Sequence, residues 1–110
     1  MKTAVVQISP HLGHIEQNLE LHKEWRERSC DQGAELVIFP ELSLTGDTLK
    51  DLTPEVALQP ATSPVFAELI DASREISLVF GFVEEKDNGL FFNSAAFLTD
   101  GQITHIHRKV

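Results

Sequence analysis

Cysteine is almost missing from this sequence. Cys30 stands alone among 110 residues, so no intramolecular disulfide can form and a bridge-stapled secreted scaffold is excluded. A reducing cytoplasm is the expected compartment. Cations are also scarce, with 9 Lys and Arg against 17 Asp and Glu and a net charge of -8. A phosphate backbone or an anionic bilayer would repel such a surface, which argues against nucleic acid and membranes as partners. No apolar run approaches the roughly 20 residues of a membrane-spanning helix. Gln7 and Ser9-Pro10 end the apolar start too early for a signal peptide. Gly81, Gly89 and Gly101 are isolated, so there is no glycine-rich phosphate loop, and no Gly-x-Ser-x-Gly elbow is present.

What is present is the composition of a globular domain, with 42% hydrophobic and 24% charged residues. A chain of this length fits one core. Ala4 to Ile8 is a β-branched apolar run stopped by Pro10, and it predicts a first strand. After Gly13, Ile15, Leu19, His22, Trp25 or Arg26, and Ser29 recur at helical spacing up to Gly33. His22 and Arg26 stand in that stripe where aliphatic side chains would be expected. Leu36 to Phe39 is continuously apolar, as in a strand covered on both faces, which completes a βαβ unit. Glu41 to Pro64 is loop-like, with a possible helical turn at Leu49 to Leu52, and loops of that length are often functional. Ser63-Pro64 then supplies an N-cap and first helical position for a helix carrying Val65, Phe66, Leu69, Ile70 and Ser73. Ser77 to Glu84, Leu90 to Leu98 and Gln102 to Val110 form a meander joined at Asn88-Gly89 and Asp100-Gly101, dipeptides that tolerate the positive φ of primed turns.

Five positions invite a chemical reading, each beside a plainer one. Glu41 lies just past the carboxyl end of the buried strand, where open α/β sheets place ligands. A partly desolvated carboxylate there would have a raised pKa and serve as a general base, or it is a solvated loop acid or helix cap. Lys109 shares a strand face with Ile103, His105 and His107, and it either stabilises an oxyanion or is an exposed strand residue. His105 and His107 could form half of a metal site, but no companion ligand has recognisable spacing, so no metal is assigned. Cys30, near the end of the first helix, reads as a small buried hydrophobe rather than a nucleophile, since no obvious base flanks it.

Taken together, Lys2 to Ile8 with Asn18-Leu19, then Gly33-Ala34-Glu35-Leu36-Val37-Ile38-Phe39-Pro40-Glu41-Leu42-Ser43-Leu44-Thr45-Gly46, resemble the opening of the nitrilase superfamily of carbon–nitrogen hydrolases. Gly81-Phe82, Phe92-Asn93-Ser94-Ala95, Asp100-Gly101 and His107-Arg108-Lys109 match the same family in the same order. The resemblance implies an α/β fold, half of a nitrilase-like αββα sandwich, with a mixed sheet and two main helices on one face. Residues 1–110 would then be the amino-terminal part of an incomplete hydrolase domain. It further implies Glu-Lys-Cys covalent catalysis on amide, nitrile or carbamoyl C–N bonds, with Glu41 as base, Lys109 as stabiliser of the intermediate, and no cofactor. The family's nucleophilic cysteine would fall beyond Val110, so the chain alone is expected to be inert. Sheet edges and an apolar face should be exposed, and association with itself or with a carboxyl-terminal half is expected. The alternative is a non-catalytic self-association module derived from the same fold.

Overall fold

In the computed structural model, which describes residues 1–11, 13–46, 56–87 and 89–109, two parallel strand crossovers are followed by a meander. The elements run β1 (Thr3–Val5), α1 (Ile15–Asp31), β2 (Leu36–Ile38), α2 (Pro64–Ala72), β3 (Ser77–Lys86), β4 (Leu90–Thr99) and β5 (Gln102–Arg108). They form one mixed five-stranded sheet in the order β1-β2-β3-β4-β5. The first three strands are parallel and the last three antiparallel. Parallel neighbours need crossovers, and the two run through α1 and α2, which pack together over one core on the same face of the sheet. β1 is shorter than its apolar run suggests, although Val6 still donates to Ile38 O at 2.9 Å.

The core lies between that helical layer and the sheet. Leu19 of α1, Phe66 and Leu69 of α2, and Val37, Phe80, Phe82, Ala96 and Leu98 of the strands are all nearly inaccessible. The rings of Phe66, Phe80 and Phe82 pack at centroid distances of 5.0 to 5.9 Å, within the range favoured by aromatic pairs. α1 buries Asn18, Leu19, His22 and Ser29, so the helical stripe is real but mostly polar. The helix closes on Gly33 at φ 82°, with Gly33 N donating to Cys30 O and Ala34 N to Ser29 O, a left-handed glycine stop. α2 begins as its sequence predicts. The Ser63 hydroxyl accepts from Phe66 N at 3.2 Å with Pro64 in the first turn.

Asp100 and Gly101 both have positive φ, 53° and 74°, as a primed turn requires. The β3–β4 connection also uses Asp87 at φ 51° and Gly89 at φ 114°; Asn88 and the Leu49 to Leu52 turn lie outside the described residues. One expectation fails in β5. A bulge pairs Ile103 with Leu98 but His105 with Phe97, so the alternation breaks and Ile103 does not share the face of His105, His107 and Lys109. On the face away from the helices, Leu36, Ile38, Val79, Ala95 and Phe97 are half-buried, and Val5 on the β1 edge is 71% exposed. Among the described residues no helix is long and apolar enough to cross a membrane.

Candidate active site

Phe39 ends β2 by donating to Val79 O at 2.8 Å. The chain then turns sharply over β3 through Glu41 and Leu42. Leu42 has φ 52°, a left-handed conformation that side-chain-bearing residues resist. Ties from several elements hold it there. Leu44 N donates to Gly81 O at 2.9 Å, Ser43 N to Pro40 O at 3.2 Å and Gly46 N to Leu42 O at 2.8 Å. The Asn18 amide donates to Leu44 O at 2.9 Å and to His11 O at 2.8 Å while accepting from His11 N at 2.7 Å. The turn sits so close to β3 that a Cβ on Gly81 would stand 2.2 Å from Leu42 N. Glycine is required at position 81 by the passage of another backbone.

That turn delivers Glu41 to the ends of β4 and β5. Its Oε1 accepts from Asn93 Nδ2 at 2.5 Å and from Lys109 Nζ at 3.1 Å. Lys109 is set by its own backbone N–H, which donates to Asn93 O at 2.9 Å. The preceding residue anchors the strand end. Arg108 Nη2 donates to Glu84 Oε2 at 2.8 Å, its Nε lies 2.8 Å from Oε1, and Ser94 Oγ donates to Oε1 at 2.9 Å. Glu84 is 2% exposed, so this carboxylate is neutralised where water cannot reach it. Arg108 points to the helical side and Lys109 to the other, because strand neighbours alternate.

The Glu41 side chain is 59% exposed and that of Lys109 66%. This corrects the expectation of a desolvated carboxylate with a raised pKa. The Asn93 amide first, then the Lys109 ammonium, hold Glu41 below the usual carboxylate range, since both favour the charged form. The pair borders a depression of about 410 Å³ lined by Phe39, Pro40, Gly81, Asn93, Ala95 and His107, among others. A larger groove of about 540 Å³ between α1 and α2 is lined by Lys23, Arg26, Glu68, Asp71 and Glu75. Its two cations, Lys23 and Arg26, are already paired with Glu68 and Glu75.

Glu41 and Lys109, 68 residues apart, are therefore brought together. His107 lines the same depression, while His105 lies along the strand with its ring centroid 6.5 Å from that of His107. Among the described residues no cluster of three or more His, Cys, Asp or Glu could hold a metal. Cys30 is half-buried at the far end of α1, packed against the core and away from the depression. Two neighbours of Glu41 received no role from the sequence. Asn93 and Ser43 stand there only as members of the motifs that carry the resemblance, because nothing along the chain marks which polar residue of a strand or turn will face the carboxylate or its turn.

Residues 2–110 match the carbon-nitrogen hydrolase family. The chain is 36% identical over 108 residues to the glutamine-dependent NAD(+) synthetase of Acinetobacter baylyi, covering 98% of this chain and 20% of that protein. The glutamine-dependent NAD+ synthetase of Acinetobacter baumannii superposes with a TM-score of 0.78 at 34% identity, over 97% of this chain and 20% of that one. A mutant of the amidase from Nesterenkonia sp. AN1, with the acetamide moiety of fluoroacetamide covalently added at its active site cysteine, superposes at 0.86 with 21% identity. That match covers 100% of this chain and 43% of the amidase, and at such identity it shows the fold alone. The chain thus spans between about a fifth and two-fifths of the proteins it matches.

Proposed function

The chain belongs to the carbon–nitrogen hydrolase family, and from that premise we propose that it is the amino-terminal part of a nitrilase-like amide hydrolase with Glu41 and Lys109 in its catalytic machinery. The observation that carries this reading is the Glu41 carboxylate accepting from the Lys109 ammonium at 3.1 Å on the rim of a depression. Glu41 is ionised at neutral pH, the form in which a proton acceptor must start. The third member, a cysteine, comes from a carboxyl-terminal half of the domain. A self-association module needs neither side chain, so their meeting favours the hydrolase over a non-catalytic assembly role.

In the proposed reaction Glu41 takes the thiol proton and the thiolate attacks the amide carbon. The Lys109 ammonium stabilises the charge developing on the carbonyl oxygen. Collapse expels ammonia, which leaves with the proton held by Glu41. Glu41 then takes a proton from water as the hydroxide attacks the thioester, releasing the carboxylic acid and returning the proton to sulfur. The substrate class is a primary carboxamide of the glutamine type, supported by 36% identity to a glutamine-dependent synthetase over nearly the whole chain.

The test joins this chain in cis to the carboxyl-terminal part of the hydrolase domain and measures ammonia released from glutamine and from simple amides. Hydrolysis should be lost in Glu41→Gln and Lys109→Met but survive Cys30→Ala. Activity that persists in Glu41→Gln would sink the assignment. So would glutamine hydrolysis by the isolated chain that survives Cys30→Ala, because the nucleophile would then not come from outside.

A further inference from the structure

We propose that His22 is a positioning residue for Glu41, acting through the Ser43 hydroxyl to fix the turn that carries the carboxylate to Lys109 and Asn93. The proposal rests on the hydrolase reading for its purpose, but its geometry stands apart from it. His22 is 1% exposed on the sheet-facing side of α1. Its Nδ1 lies 2.6 Å from Asn18 O and its Nε2 2.9 Å from Ser43 Oγ. A carbonyl only accepts, so Nδ1 carries the proton. In the neutral ring Nε2 is then an acceptor, and the Ser43 hydroxyl must donate to it. The same hydroxyl oxygen accepts from Gly81 N at 3.3 Å. The chain of bonds therefore has one polarity, from β3 through the turn to α1.

Burial keeps the ring neutral, pushing its pKa down to about 4 against a smaller opposing effect of the Asn18 carbonyl. The ring is also wedged against Phe39 at a centroid distance of 4.3 Å and meets Phe80 edge-on at 6.1 Å. Phe39 is two residues before Glu41, and Gly81 follows Phe80. His22 thus packs against the residue that follows β2 and against β3, over which the turn passes. A leucine would fill this position in a helix that served packing alone, and it would spare the cost of burying an imidazole. What the imidazole adds is an acceptor aimed at Ser43, two residues from Glu41, on the far side of a residue held at positive φ. Without that acceptor the Ser43 hydroxyl, itself fully buried, keeps the bond it accepts from Gly81 N but loses the acceptor for its own proton, and the turn loses one of the ties that oppose relaxation of Leu42.

The experiment follows the Glu41 side-chain carboxyl carbon by NMR through a pH titration of the whole chain, in wild type, His22→Phe, Ser43→Ala and His22→Gln. In wild type Glu41 titrates below the usual carboxylate range, and a long-range nitrogen spectrum shows His22 protonated on Nδ1. His22→Phe keeps an aromatic ring but has no acceptor, and Ser43→Ala removes the donor. In both, the Glu41 midpoint returns toward the ordinary value while the amide spectrum stays dispersed. His22→Gln, whose amide oxygen can accept from Ser43, keeps it low. A Glu41 midpoint that stays at the wild-type value in folded Ser43→Ala overturns the proposal, and that variant decides the matter if His22→Phe does not fold.

In the completed enzyme the same two losses should lower kcat by about tenfold to a hundredfold with little change in KM, the signature of a misplaced catalytic group. If the midpoint moves but Glu41→Gln still hydrolyses amides, the hydrolase reading fails and the positioning role stands. If Glu41→Gln is dead but Ser43→Ala leaves the midpoint and kcat unchanged, the reverse holds.

Discussion

Replacing Gly81 with alanine tests the feature on which the site geometry depends. The added methyl would stand 2.2 Å from Leu42 N and 3.0 Å from Glu41 C, whereas ordinary contact begins near 3.4 Å. Both obstructing atoms are backbone, so no side chain can swing aside. Either β3 or the Glu41–Leu42 turn must retreat by about an ångström, and overpacking of that kind typically costs roughly 1–3 kcal/mol. The retreat also stretches the Leu44 to Gly81 and Gly81 to Ser43 hydrogen bonds, 2.9 and 3.3 Å long, each worth about 1 kcal/mol. Together these give a destabilisation on the order of 3 kcal/mol. Urea unfolding of the chain measures it: with a slope of about 1–3 kcal/mol per molar, the midpoint should fall by roughly 1–3 M at unchanged slope. The Glu41 carboxyl should at the same time titrate nearer its ordinary value as it parts from Lys109 and Asn93. A variant within about 0.5 kcal/mol of wild type, the usual effect of a surface change, would refute the claim that the turn lies against β3.

Acid should weaken the fold through His22. Its folded pKa of about 4 lies below the value near 6.5 of the unfolded chain. Between those values the unfolded chain binds a proton that the folded chain does not, so stability falls as pH drops through that window. At about 1.4 kcal/mol per unit the loss approaches roughly 3 kcal/mol by pH 4. Urea titrations at a series of pH values should therefore show the stability of wild type relative to His22→Phe falling from pH 7 to pH 4, and an unchanged difference would contradict a neutral buried imidazole. Arg108→Met should destabilise the chain markedly, since it strands the buried Glu84 carboxylate, whereas the double replacement Glu84→Met with Arg108→Met should recover much of the loss; a thermal double-mutant cycle reads the coupling. Ser63→Ala removes the cap on α2 and should cost about 1 kcal/mol in the same urea assay.

The local elements were legible because each obeys a short-range rule. Helical spacing located α1, Ser63-Pro64 announced the start of α2, and Asp100-Gly101 set a primed turn through residues that accept positive φ. The joined run from Gly33 to Gly46 carried the family, and with it Glu41, while His107-Arg108-Lys109 carried Lys109. Less legible was anything that depends on which strand lies beside which. The bulge that removes Ile103 from the face of His105 leaves no mark in a pattern of alternating residues. Glu84 reads as one more surface acid until Ser94 and Arg108 close on it.

The environment of Glu41 marks the boundary between the two kinds of knowledge. From the residues one can say that a carboxylate follows a buried strand and that a lysine ends the chain's last strand, since both follow from order along the backbone. Only the fold decides that they meet across 68 positions, that Asn93 joins them, and that the carboxylate stays exposed and acidic. A pKa is set by charges and solvent within a few ångströms, and those neighbours come from strands brought together by packing. By the same reasoning His22 is a flaw in a helical stripe when read along the chain. In the fold it is an acceptor facing the hydroxyl that holds the turn in place.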